Sequence, residues 1–398
     1  MDRRLFLISL SGVAVSQGLS GCRAASDGTA GLHVLQGTIP PQIYAAFQRF
    51  LRQQQQQGSL EFSVEPQLET LFTRLQQLQQ QEKKTEVSSG GALGGLFPML
   101  RSSRSRPLPD LVTLGDSWLQ AAIQQELIQP FDVQPLKGWS QLPQSPWHHL
   151  VRRDRQGFLD PQGANWALPF RWGSTILVYR RDIFEQRGLA PPSDWHDLWR
   201  PELQHQFSLL DSPREVIGAA LKCLGQSYNS PAPQSVTDLG SQLAALQRQV
   251  KFYSSTAYLQ PLVLGDTWLA MGWSSDVLPL MQRNPKLAAV FPKSGTALWA
   301  DIWVRPAAQT NPLNGLTQRW IDFCWDPATA IQLTLFSRAS SPAIFAVAPG
   351  TLPEPLRQNT ILLPPEASFR ASEFLYPLQS SSRQAYQQLW QEMRRVVT

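Results

Sequence analysis

At 398 residues the chain is long enough for two or three domains with cores of their own, which excludes a small disulfide-stapled scaffold. Hydrophobic residues make up 42% and charged residues 16%, too apolar and too weakly charged for a disordered or coiled-coil chain. The net charge of +5 is small and scattered, so no basic footprint marks a nucleic-acid partner.

In chain order, Arg3 and Arg4 precede an apolar stretch, Leu5 to Val15, that runs through small and polar residues to Leu19-Ser20-Gly21-Cys22. The stretch is too short, and too interrupted by Ser and Gly, to span a ~30 Å hydrocarbon core, and it reads as a targeting segment. Arg3-Arg4-Leu5-Phe6-Leu7 resembles a twin-arginine export signal, and Leu19-Ser20-Gly21-Cys22 resembles the lipobox of a bacterial lipoprotein. Residues 1–21 are therefore expected to be a signal peptide, Cys22 the acylated residue and residues 22–31 a tether. Two acyl chains, at about 0.8 kcal/mol per buried methylene, hold a soluble domain to a membrane where one does not.

Leu32-His33-Val34-Leu35 reads as a strand, and Ile43 to Leu51, after Pro40-Pro41, as an amphipathic helix. Leu60 to Val64 alternates as a half-buried strand, and leucines 68, 71, 75 and 78 carry a helix to Gln81. Residues 82–109, rich in Gly, Ser and Arg, read as a long surface insertion before the strand Leu111 to Leu114. Beyond it come a helix from Trp118 to Leu127, a strand from Ser174 to Tyr179, and helices near 215–224, 238–249 and 316–323, an α/β order. The Gln runs at 53–57 and 76–81 read as helix surface rather than repeats.

Chemistry-bearing motifs are scarce. There is no Walker A loop, H-E-x-x-H, G-x-S-x-G or C-x-x-C, so a P-loop nucleotidase, a zincin and an α/β-hydrolase lack their parts, and no enzyme, metal or cofactor is expected. Cys223 and Cys324 sit in apolar helical contexts and read as buried free thiols, while His148-His149 read as solvated or capping side chains. Fourteen tryptophans are unusual, and three segments pair indole with carboxylate or gather acids: Trp268 to Asp276, Leu298 to Asp301 and Asp211 to Glu215. An organic cation is held by such groups, through cation–π attraction of ~0.5–2 kcal/mol per ring and charge-assisted hydrogen bonds. For any one residue, core filling by the Trp and helix capping by the Asp are the better explanation; the recurrence is what points to binding.

At these segments the chain resembles the spermidine/putrescine-binding proteins of bacterial ABC importers, within the extracellular solute-binding proteins. The resemblance rests on Pro109-Asp110-Leu111-Val112, Leu127 to Asp132, Ala167-Leu168-Pro169-Phe170-Arg171-Trp172-Gly173-Ser174-Thr175 and Pro192 to Pro201. It continues through Leu210-Asp211-Ser212-Pro213-Arg214-Glu215, Gly265 to Trp273 and Phe291 to Asp301, in family order over roughly residues 32 to 345. It implies an α/β, bilobed type 2 periplasmic-binding-protein fold whose two lobes close on a ligand in the cleft between them. Lobe 1 is then 32–172 with 300–346, lobe 2 is 173–299 with 347–398, and the chain crosses near 172 and 300.

Carried over position by position, Glu215, Trp273, Trp299 and Asp301 match the family's ligand contacts, with Trp299 stacking on the ligand and the two acids each taking an ammonium. The chain departs from the pattern elsewhere. Leu35 and Thr38 replace an aromatic pair, Gly115-Asp116-Ser117 replaces Ser-x-Tyr, Ser212 replaces a second acid and Ala339 a late Tyr. Half of the aromatic box is gone, and Asp116 offers a carboxylate from the opposite wall. The resemblance implies a monomeric, lipid-anchored periplasmic subunit, on the outer face of the cytoplasmic membrane, that hands a polyamine to permease subunits without cofactor or turnover. Two alternatives stay open: a monoamine, amino-acid-like or thiamine-like ligand in the same fold, and a scaffold or sensor lipoprotein acting through 82–109.

Overall fold

The structure, a computed structural model, describes residues 28–89 and 108–396. Alternating burial of Ala30, Leu32 and Val34 makes β1 (Thr29–Leu35), and Ile43, Phe47 and Leu51, one helical turn apart, form the buried stripe of α1 (Pro41–Gln53). β2 (Ser59–Glu65), α2 (Leu68–Ser89), the wholly buried β3 (Leu111–Gly115) and α3 (Leu119–Gln124) complete this half, with β1 parallel to both β2 and β3.

β4 (Leu168–Arg180) follows, 13 residues all buried and about 43 Å long. The second half contains β5 (Phe207–Leu209), α4 (Pro213–Cys223), α5 (Leu239–Gln249), β6 (Phe252–Tyr253), β7 (Leu269–Trp273), α6 (Ser274–Arg283) and β8 (Leu287–Val290). β9 (Ala297–Pro306) returns the chain to α7 (Gly315–Trp325) and α8 (Pro327–Ser337), whose N-caps Asn314 and Asp326 accept from backbone N–H groups. β10 (Glu373–Phe374) pairs with β9, and α9 (Ser380–Arg394) packs on α4 and α5.

The strand order is β2-β1-β3-β9-β4-β7-β5-β6. β9 pairs with β3 through Asp301–Val304, and β4 pairs with β7 and β8 through Thr175–Arg180. These two antiparallel strands therefore thread two α/β lobes, and their paired stretch, Leu298–Ser174 to Trp303–Leu168, lies between the lobes.

Several sequence expectations need correction. β4 begins at Leu168, six residues earlier than expected, because Pro169, Arg171 and Gly173 interrupt the apolar pattern without ending the ladder. Residues 82–89 continue α2 rather than opening a loop, and Thr29–Gly31 belong to β1 rather than to a tether. The rest of the insertion up to residue 107, and the signal with Arg3, Arg4 and Cys22, lie outside the described residues. The helix expected at 118–127 is a short turn, Asp116–Trp118, followed by α3. Gln54–Gln57 leave α1, with Gln55 in the left-handed region, so only the second Gln run is helical.

His148 is buried rather than solvated, stacked on Trp139 at 4.1 Å with Nε2 3.2 Å from its carbonyl. Most of the Trp excess is core: Trp147, Trp172, Trp195, Trp303, Trp320 and Trp325 are fully buried. Cys324 is buried and Cys223 half-buried, both free, and burial raises both thiol pKa values, Cys223 to about 12.

Candidate functional site

Between the lobes, register decides what shares a face. Trp299 and Asp301 of β9 stand opposite Gly173 and Arg171 of β4, and Trp273 of β7 stands opposite Thr175. Alternation puts Arg171, Gly173 and Thr175 on one side of β4. The Trp299 indole lies over Gly173 so closely that a Cβ there would meet its ring at 2.2 Å and Ser274 Oγ at 2.5 Å. Only glycine admits this approach.

At the Thr175 end, Glu215 sits in the first turn of α4, entered through Pro213, where the helix dipole favours an acid. Its Oε1 accepts from the Thr175 hydroxyl at 2.9 Å and from Trp273 Nε1 at 3.3 Å, while Oε2 is buried with no partner. The neighbouring Arg214 is drawn elsewhere, to the Tyr376 carbonyl at 3.0 Å and Asn229 Oδ1 at 2.8 Å. Burial pushes the Glu215 carboxyl up to about 7, against the smaller lowering effects of those two donors and Arg214. Tyr258 braces Trp273: its hydroxyl accepts from the Trp273 N–H at 3.3 Å and donates to Asp276 Oδ2 at 2.7 Å.

Four residues along β4, about 13 Å away, the charges are arranged differently. Arg171 Nε donates to Asp301 Oδ2 at 2.6 Å, Nη1 reaches the Ser337 carbonyl at 3.3 Å, and the guanidinium carbon is 5.9 Å from the Trp299 ring centroid. Asp116, just beyond β3, accepts from the Ala300 N–H at 3.0 Å. Burial raises its carboxyl to about 7, the Ala300 bond and Arg153 oppose this, and the Asp301 charge adds to it.

The structure thus brings Glu215 to Trp273 and Trp299 to Asp301, with Asp116 beside the second pair. Ser117 is exposed next to Asp116, and Ser212 is the N-cap residue of α4 without a side-chain cap bond. Trp268 stands apart from this face, stacked 4.1 Å from the Arg187 guanidinium, and Asp211 pairs with Arg394 at 3.3 Å. Sequence reasoning missed Arg171, Thr175 and Tyr258. A charged residue two positions from a glycine inside a buried strand was the signal for Arg171; Thr175 and Tyr258 had none.

Among the described residues, no His, Cys, Asp and Glu cluster is suited to a metal, and no helix is long and apolar enough to cross a membrane.

Comparison with known proteins identifies the family. Residues 94–349 match the family described as bacterial extracellular solute-binding protein. The putrescine/cadaverine-binding protein of Pseudomonas aeruginosa is 29% identical over 257 residues, 61% of this chain and 71% of that one. The spermidine/putrescine-binding periplasmic protein of Escherichia coli is 26% identical over 224 residues, 56% of this chain. The match spans 60% of the length of that relative. Among solved structures, the spermidine/putrescine transporter substrate-binding protein of Streptococcus pneumoniae aligns with a TM-score of 0.72 at 18% identity, over 93% of this chain and 99% of that one. A Treponema pallidum lipoprotein aligns at 0.62 and 15% identity, over 92% and 99%. At such identities the structures speak for the fold alone.

Proposed function

This chain belongs to the bacterial extracellular solute-binding proteins, and we propose that it captures a small organic cation of the polyamine class between its lobes and passes it to the permease of an ABC importer. The observation that carries this reading is Glu215: a buried carboxylate with one oxygen unpartnered, the other held by the Trp273 indole N–H, and no ion pair among the described residues. An ammonium arriving there gains a charge-assisted hydrogen bond and an aromatic neighbour, and it compensates a charge the fold leaves uncompensated. Trp299 is the proposed face for the methylene chain, and Ser212 and Ser117 the proposed polar contacts. The names of the relatives, which bind putrescine, cadaverine or spermidine, support the ligand class.

Lobe 1, which with β1 begins at Thr29, is assigned as 29–172 with 300–346 and lobe 2 as 173–299 with 347–398, closing about β4 and β9. Capture by closure needs no catalyst: the protein binds and releases. Cys22 is the proposed acylation site and Arg3-Arg4 the proposed export signal, giving a periplasmic monomer tethered to the outer face of the cytoplasmic membrane.

The test is thermal melting and tryptophan fluorescence with putrescine, cadaverine, spermidine, amino acids and thiamine. A ligand at a hundredfold excess over its Kd stabilises by about 2.7 kcal/mol. A saturable shift with an amine that is lost in Glu215→Gln and Trp299→Ala supports the reading; a shift only with a non-amine overturns the ligand class. Mass spectrometry of membrane-extracted protein, with Cys22→Ala moving to the soluble fraction, tests the anchor.

A further inference from the structure

We propose that Asp116, rather than Asp301, holds the second ammonium of a diamine and so sets the preference of this cleft for two cations over one; the inference rests on the organic-cation reading above. Asp301 already has a cation. The Arg171 guanidinium lies 2.6 Å from its carboxylate, bonds the Ser337 carbonyl and faces the Trp299 ring at 5.9 Å. That is the carboxylate-and-indole setting an ammonium ligand seeks, filled from within the chain. Both side chains are less than a tenth exposed, so a ligand displacing Arg171 strands a buried guanidinium.

Asp116 is differently placed. One oxygen takes the Ala300 N–H, and its carboxylate forms no ion pair among the described residues. The cation that acts on it, Arg153, gives Nε to the Leu150 carbonyl at 2.8 Å, lies 5.9 Å from the Tyr376 ring centroid and keeps Nη1 buried without a partner, so it lowers the Asp116 carboxyl pKa from a distance without an ion pair. Glu215 is likewise without an ion pair, and its unpartnered Oε2 is in a residue 6% exposed. Asp116 bonds the Ala300 N–H of β9, and Ala300 pairs with Trp172 of β4, whereas Thr175 of β4 holds Glu215, so the two carboxylates are offset by three residues, about 10 Å, along the strand direction, with β9 as a lateral step between Asp116 and β4. The Trp299 indole stands over Gly173, at a level of β4 between Trp172 and Thr175, and offers an apolar face for methylenes, with its own Nε1 unpartnered. Burial raises both carboxyl pKa values to about 7, as expected of acids whose cation arrives with the ligand.

The experiment titrates the full chain and Asp116→Asn with putrescine and 1-aminobutane at pH 8, followed by tryptophan fluorescence and calorimetry. The amide keeps the acceptor for Ala300 N–H, and ligand-free melting checks that the variant is folded. The expected result is a loss of putrescine affinity of about tenfold or more, with 1-aminobutane changed by less than about threefold. Undiminished putrescine affinity in Asp116→Asn overturns the assignment while leaving the organic-cation reading standing. A wild-type protein that binds neither amine overturns that reading and the assignment with it.

Discussion

Arg171 Nε and Asp301 Oδ2 meet at 2.6 Å between the lobes, with neither side chain more than a tenth exposed. Removing one partner of such a pair leaves a buried charge and costs about 3–5 kcal/mol, whereas replacing both with apolar or neutral groups is often close to neutral. Arg171→Met is therefore expected to lower stability by about that amount, and the double change Arg171→Met with Asp301→Asn to recover most of it. Urea unfolding of the four proteins measures the coupling. Additive losses would show that the pair contributes little and that its geometry is incidental.

Gly173 is required by contact rather than by backbone angle. A methyl group there overlaps Trp299 and Ser274, the latter holding the Ser174 N–H at 3.1 Å. In Gly173→Ala the indole has to swing off β4. The expected outcome is a shifted emission maximum in the ligand-free protein and a loss of amine binding as large as that of Trp299→Ala. Unchanged emission with full binding would place the indole elsewhere.

Tyr258 links the Trp273 backbone to Asp276 through one hydroxyl. A hydrogen bond to a charged group contributes about 1.5–3 kcal/mol, so Tyr258→Phe is expected to lower the urea midpoint by a corresponding amount without changing the m-value. Because Trp273 carries the donor to Glu215, ligand affinity should fall too. Loss of stability with affinity intact would separate the brace from the site.

How far the sequence was legible follows from the kind of signal each part carries. The first lobe was readable because β1, α1 and β2 each present one buried face, which leaves a period of two or of about 3.6. β4 was only half readable: buried on both faces and holding Arg171, Ser174 and Thr175, it has no period to detect. α9 escaped because its few buried positions, Ser382, Tyr386 and Met393, are spread over four turns of polar residues. In the candidate site, Glu215, Trp273 and Trp299 were named through the family resemblance, on indole–carboxylate segments that the residue pattern alone had singled out. The ion pair of Arg171 with Asp301 depends on cross-strand register, fixed by residues 130 apart in the chain, and nothing local announces it.

The pH dependence follows from Glu215. Its carboxyl is raised by burial to about 7 in the folded protein from an ordinary value of 4.5, with Thr175, Trp273 and Arg214 opposing the shift. The stability gained from burying it neutral is fully present below about pH 4.5 and is lost as pH rises through about 7. Asp116, flanked by Arg153 and Asp301, adds a contribution of the same sign. The ligand-free protein is therefore expected to melt at lower temperature at pH 8 than at pH 5.5, and Glu215→Gln to flatten that slope. Binding runs the other way. An ammonium prefers the carboxylate, so affinity rises toward pH 8, and at pH 6.5 capture expels protons that calorimetry in two buffers of different ionisation heat counts directly. Proton uptake on binding, or affinity falling between pH 6 and 8, would mean that the ligand meets a neutral Glu215 and is not held there as a cation.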